Sequence, residues 1–220
     1  MAIYGRAGTL KSWLAINMAF DICQGKRWLG HPTIKSSVLI IQTEQTEPIY
    51  AERIIKYAHS LNGRELPTNL SFDNDLTLKL DGFTGLQTLF QDIEERKPGV
   101  VILDCLYQMV SGSVSNQVDL NRFKDNIDKT RQKFGTSFVI IHHPRKAGRD
   151  EDEDLGFEEM LTSSIFANWL DTIIKVSAVP HNADNPTNIL LTFQKVKDAR
   201  QPMLPIQVRF SRDTARFGLA

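Results

Sequence analysis

Gly5-Arg6-Ala7-Gly8-Thr9-Leu10-Lys11-Ser12 runs straight into the apolar stretch Trp13-Leu14-Ala15-Ile16. A glycine-containing turn that opens a helix with Lys-Ser suits a triphosphate. Loop and helix N-terminal N–H groups point at phosphate oxygens, a lysine neutralises the β and γ phosphates, and a hydroxyl ligates Mg²⁺. Gly5 to Trp13 are therefore the expected nucleotide-binding stretch, with Lys11 on phosphate and Ser12 on the metal. The usual pattern, G-x-x-x-x-G-K-[ST], is met with one departure: Leu10 stands where the second glycine is expected. An ordinary glycine-containing turn before an amphipathic helix would look much the same.

Three further polar groups stand at the ends of apolar runs. Glu44 follows Val38-Leu39-Ile40-Ile41-Gln42, Asp104 closes Val100-Val101-Ile102-Leu103, and His142-His143 close Phe138-Val139-Ile140-Ile141. A carboxylate at the first tip could polarise an attacking water, and Glu47 is its competitor, although its place before Pro48 reads as a helix start. Asp104 could orient Mg²⁺ opposite the Ser12 hydroxyl, or merely cap the next turn. Adjacent histidines on a strand face opposite ways, so the pair is a poor chelate. One of them, or Pro144-Arg145-Lys146, could instead sense the γ-phosphate.

Alternating elements must position these groups. A helix over residues 11–24 stops at Gly25, a buried strand runs from Ser37 to Gln42, and a helix over 49–62 carries Ile54, Ile55, Ala58 and Leu61 before Gly63. Short β-prone pieces at Asn69–Phe72 and Leu76–Leu78 come next, then a helix over Phe83–Arg96 and the strand ending at Asp104. A loop from Met109 to Asn116 leads to a helix through Leu120, Phe123, Ile127 and Phe134, and then to the strand at Ser137–His143. Lys146 to Glu159 has the composition of a mobile, acidic segment. Strand candidates at Thr172–Val176, Asn188–Gln194 and Ile206–Phe210 read as antiparallel additions to one edge. The alternation predicts an α/β fold, a mostly parallel twisted sheet flanked by helices, with chemistry gathered at the C-terminal ends of the strands.

With 220 residues, one core suffices, and a single domain over 1–220 is expected. Only Met1-Ala2-Ile3-Tyr4 precede the loop, so either its strand is very short or the chain is a piece of something longer. Lys plus Arg and Asp plus Glu both total 26, so any polyanion contact must be local. Cys23 and Cys105 lack metal-ligand spacing, and no apolar run approaches a membrane span, which together predict a cytoplasmic protein with no membrane partner.

The order Gly5-x-x-Gly8-x-x-Lys11-Ser12, strand-Glu44-Gln45, Val100–Asp104 and Val139-Ile140-Ile141-His142-His143-Pro144-Arg145-Lys146 resembles the RecA-like P-loop ATPases of the RepA type. These are hexameric replicative helicases and their plasmid, phage and mobile-element relatives, more distantly related to DnaB. The resemblance implies Glu44 as catalytic base, Asp104 on Mg²⁺ and His143 near the γ-phosphate of ATP. It also implies that Lys195, Lys197 and Arg200 reach a neighbouring subunit's nucleotide in a homo-oligomeric ring. Single-stranded DNA is the implied partner, with Ser111–Asn116 and Arg145–Arg149 as candidate contacts. A nucleotide-dependent switch acting on a protein partner is the alternative; a small phosphotransferase ranks below both for want of an arginine-rich lid.

Overall fold

The computed structural model describes residues 1–61, 65–114, 116–143, 164–179 and 187–220. In chain order the elements are β1 (Ala2–Tyr4), α1 (Lys11–Gln24), β2 (Val38–Gln42), α2 (Glu47–His59), β3 (Leu70–Asn74), α3 (Phe83–Arg96) and β4 (Val100–Asp104). A 3₁₀ turn (Leu106–Met109), α4 (Gln117–Phe134), β5 (Ser137–His142), α5 (Ser164–Trp169), β6 (Thr172–Ala178), β7 (Asn188–Val196), β8 (Ile206–Ser211) and β9 (Arg216–Leu219) complete it. The strands make one sheet in the order β3-β2-β4-β5-β1-β6-β7-β8-β9.

Short as it is, β1 lies mid-sheet, paired in parallel with β5 and β6. All three of its residues are buried, so its position rather than its length carries the loop that follows. β2, β4 and β5 are continuous apolar runs because both faces are covered. Val38, Ile40, Ile102, Val139 and Ile141 pack under α1 and α2 with Phe20, Ile54 and Tyr57. Leu39, Leu103, Phe138 and Ile140 pack under α3, α4 and α5 with Leu89, Phe123 and Phe166.

Three expectations are corrected, and one strand is new. Leu76–Leu78 is a turn, not a strand, because the Asp75 carboxylate accepts bonds from the Thr77 N–H (2.8 Å) and hydroxyl (2.7 Å) and folds the chain back. Ile55 is half exposed; α2 buries Tyr50, Ile54, Tyr57 and Ala58 instead. β6 extends the parallel part of the sheet against β1, and only β7, β8 and β9 are antiparallel. β9 escaped notice because it is four residues long and mostly exposed. Its anchor is Asn17 on α1, whose amide donates to the Ala215 carbonyl (3.1 Å) and accepts from the Phe217 N–H (3.2 Å).

Lys146–Glu159 and Arg145–Arg149 lie outside the described residues, as do Pro144-Arg145-Lys146. Among the described residues no helix is long and apolar enough to cross a membrane, and both cysteines are free and buried.

Candidate nucleotide site

The loop from Gly5 to Leu10 leaves β1 and delivers the chain to α1. At Gly5 a Cβ would stand 2.2 Å from the Val176 carbonyl oxygen of β6, so only glycine passes between the strands. Gly8 (φ 80°) needs glycine for its left-handed backbone. Leu10 is left-handed too (φ 64°, ψ 18°), which explains why glycine is usual here: the position demands a conformation, not close approach. For leucine this costs about 1–2 kcal/mol, offset in part because the side chain packs on the core beneath α1.

Leu10 caps α1 without a side-chain bond, which leaves the first N–H groups of a helix free to face an anion. Lys11 is almost wholly buried, with Nζ donating to the Arg6 carbonyl (2.6 Å) and the Thr9 hydroxyl (3.2 Å). Burial pulls its ammonium down to about 8, against the opposing pull of Asp104 and Glu44. Arg6, Ala7 and Gly8 are exposed, forming the mouth of the loop.

Ile102 belongs to the α1/α2 side of the core and Leu103 to the other, so the alternation along β4 turns Asp104 toward α1. There the Ser12 hydroxyl lies near enough to its carboxylate to oppose the effect of burial on it. Asp104 is buried, its Oδ1 has no partner among the described residues, and desolvation raises its pKa. A hydroxyl beside an under-satisfied buried carboxylate is the oxygen donor set a hard divalent cation takes, so Ser12 and Asp104 fit Mg²⁺.

Glu44 sits beyond β2, whose last residue pairs in register with Asp104. The loop is fixed from below: the buried Gln42 side chain accepts from the Glu44 and Gln45 N–H groups and donates to the Gln45 carbonyl (2.6 Å). The Thr43 N–H donates to the Asp104 carbonyl (2.8 Å). His143 faces Glu44 at 3.6 Å, an ion-pair rather than a hydrogen-bonding distance, and its presence is the largest influence holding the Glu44 carboxyl below its ordinary range. His142 is fully buried on the other face of β5. Glu47 is the exposed first residue of α2.

Lys11, Ser12, Glu44, Asp104 and His143 thus meet at one rim of the sheet. Lys195, Lys197 and Arg200 do not join them. Lys195 pairs in register with Ile173 near the start of β6, at the opposite rim. Its Nζ donates to the Ala167 (3.1 Å) and Asn168 (3.0 Å) carbonyls, Lys197 pairs with Asp171 at 3.6 Å, and Arg200 is exposed. In the Ser111–Asn116 loop, Ser111 is bonded to the Asp81 carboxylate, and Asn116 caps α4 through the Val118 N–H (2.9 Å).

Sequence reasoning singles out none of Gln42, Tyr50 and Arg53, and Cys105 looks unsuited to a metal by its spacing. Cys105 offers a sulfur within 4.8 Å of ligand atoms of Glu44 and His143, although burial pushes its thiol up to about 12. Arg53 lies over the Trp13 ring, 5.4 Å from its centroid. Only Gln42, a polar end to an apolar strand, left a signal in the sequence.

The AAA domain family (AAA_25) matches residues 1–149, which include the whole of this rim. The chain belongs to the AAA domain family. Solved structures share the fold of this AAA domain. One of them, an ATPase domain, superposes with a TM-score of 0.74 at 11% identity, covering 100% of this chain and 84% of that one. A DnaB-like replicative helicase, described with its interactions with primase, gives 0.73 at 12% identity over 98% of this chain and 57% of its own length. The AAA domain thus spans little more than half of that protein. The flagellar accessory protein FlaH from Methanocaldococcus jannaschii gives 0.67 at 15% identity over 100% and 88%. At such identities the likeness is one of fold, and the fold is RecA-like. No curated protein matches the chain by sequence.

Proposed function

We propose that this AAA domain hydrolyses ATP with Mg²⁺ and works as a ring-forming motor on single-stranded DNA. The observation that carries the hydrolysis reading is the convergence at one rim of a buried lysine, a hydroxyl–carboxylate pair and a half-exposed glutamate tuned by a histidine. Phosphoryl transfer asks a protein mainly for positioning and electrostatics, and these groups supply both. The first N–H groups of α1 and the loop amides receive the phosphates, and Lys11 turns from the Arg6 carbonyl to their β and γ oxygens. Ser12 and Asp104 hold the hydrated metal, which when bound offsets charge on those oxygens. Glu44, kept ionised by His143, takes the proton of the attacking water.

Lys195, Lys197 and Arg200 face away from their own cradle, so their proposed role is to serve a neighbour's nucleotide. A cation supplied across an interface can raise the rate by about 10³–10⁵. Likeness in fold to the solved ATPase domain and to the DnaB-like helicase supports the motor. A second reading, a nucleotide switch acting on a protein partner, is favoured by the Ser111–Asn116 loop, where Ser111 already spends its N–H and hydroxyl on Asp81.

ATP hydrolysis measured with and without single-stranded DNA, over a range of protein concentration, decides between them. Turnover that rises with DNA and with assembly supports the motor; turnover indifferent to DNA supports the switch. Glu44→Gln that still binds Mg·ATP but turns over at least about 10²-fold more slowly supports the base assignment. Full activity in that variant refutes it.

A further inference from the structure

Tyr50 lies in the first turns of α2 and is 4% exposed, its ring packed in the same apolar cluster as Ile16, Phe20 and Cys105. Its hydroxyl is shut off from solvent and has no hydrogen-bond partner among the described residues. A buried hydroxyl without a partner is unfavourable, and an apolar ring would fill the same space without that cost. The Asp104 Oδ1 is also buried with no hydrogen-bond partner among the described residues. Gln42, the last residue of β2, pairs in register with Asp104, and α2 starts five residues beyond it, with the Tyr50 N–H donating to the Thr46 carbonyl (3.1 Å), so the first turn of α2 rises from the Asp104 end of the sheet. The two groups sense each other: burial raises the phenol well above its ordinary range, and the charge of Asp104 raises it further, with Arg53 opposing. Gln45 Oε1 at the same rim is likewise buried with no hydrogen-bond partner among the described residues, so the hydrogen-bonding deficit gathers where a hydrated ion would sit.

Building on the function proposed above, we propose that Tyr50 is a positioning residue for the hydrated Mg²⁺ held by Ser12 and Asp104, its hydroxyl bonding the water shell beside the Asp104 carboxylate. The hydroxyl is then unsatisfied only in the nucleotide-free protein, and Tyr50→Phe separates the two roles with opposite signs. In the whole chain, free of nucleotide and in EDTA, the variant melts at the same temperature as the wild type or higher. Its affinity for a fluorescent ATP analogue in EDTA is unchanged. The Mg²⁺ concentration that half-saturates the metal-dependent gain in that affinity rises about tenfold, the usual effect of removing a hydrogen bond around a metal.

A lower melting temperature, or a loss of analogue affinity equal with and without Mg²⁺, makes Tyr50 a packing residue and overturns the inference. Unchanged Mg²⁺ dependence overturns it as well and leaves the proposed function standing. A wild-type chain that binds the analogue in neither condition overturns both.

Discussion

Replacing Lys11 with methionine should stabilise the nucleotide-free protein while destroying its activity. The lysine is 2% exposed, and burial lowers its ammonium from 10.5 to about 8. That difference corresponds to on the order of 3 kcal/mol against the charged form in the fold. Two bonds from Nζ, to the Arg6 carbonyl and the Thr9 hydroxyl, are lost in the variant, which leaves a net gain of about 1–2 kcal/mol. For a chain of this size that is roughly 2–8 °C in Tm. At pH 7 the lysine is protonated in both folded and unfolded chains. Between about 8 and 10.5 the folded chain gives up the proton first, the unfolded state binds more protons, and wild-type stability climbs with pH. Methionine has no such climb. Thermal unfolding of both proteins from pH 7 to pH 10 should show a gap in favour of the variant that closes as pH rises. ATP should raise Tm for the wild type only, by preferential binding to the folded state. A variant less stable at pH 7, or a gap that stays constant with pH, would refute the reasoning.

His143→Ala should let the Glu44 carboxyl rise toward its ordinary range, since His143 is the first cause of its lowering. The acid limb of the turnover–pH profile then moves to higher pH, and an unmoved limb would dismiss His143 as the tuning group. Gly5→Ala should destabilise by about 1–3 kcal/mol, because the new Cβ meets the Val176 oxygen at 2.2 Å; urea unfolding without a shift in midpoint would contradict the close approach. Mixing Lys197→Ala with Glu44→Gln subunits should restore turnover that neither variant shows alone if catalysis crosses an interface. Strict proportionality to the subunits with an intact Glu44 would count against a role for Lys197 in trans.

The chain's local signals were enough for α1, α3, β4 and β5, because each is a long apolar run or a periodic stretch ended by glycine, proline or a charge. They were enough also for the rim, since a polar residue closing a strand buried on both faces has to lie at an end of the sheet. They failed where a tertiary contact overrode the local pattern. The Asp75 side chain folded a β-prone triplet into a turn, and Asn17 held in place a strand too short to show a period.

From sequence alone came the donors: a lysine and serine after a glycine loop, and carboxylates and histidines at strand tips. Tertiary structure alone decided which of them meet. Pairing of β2 with β4 set Glu44 and Asp104 on one rim, the face of each strand separated His143 from His142, and the start of β6 carried Lys195 to the far side. The reason is that strand order and pleat direction are fixed by packing between residues distant in sequence. The same packing shut in Tyr50, an ordinary core aromatic in the linear pattern, whose hydroxyl is left without a partner among the described residues.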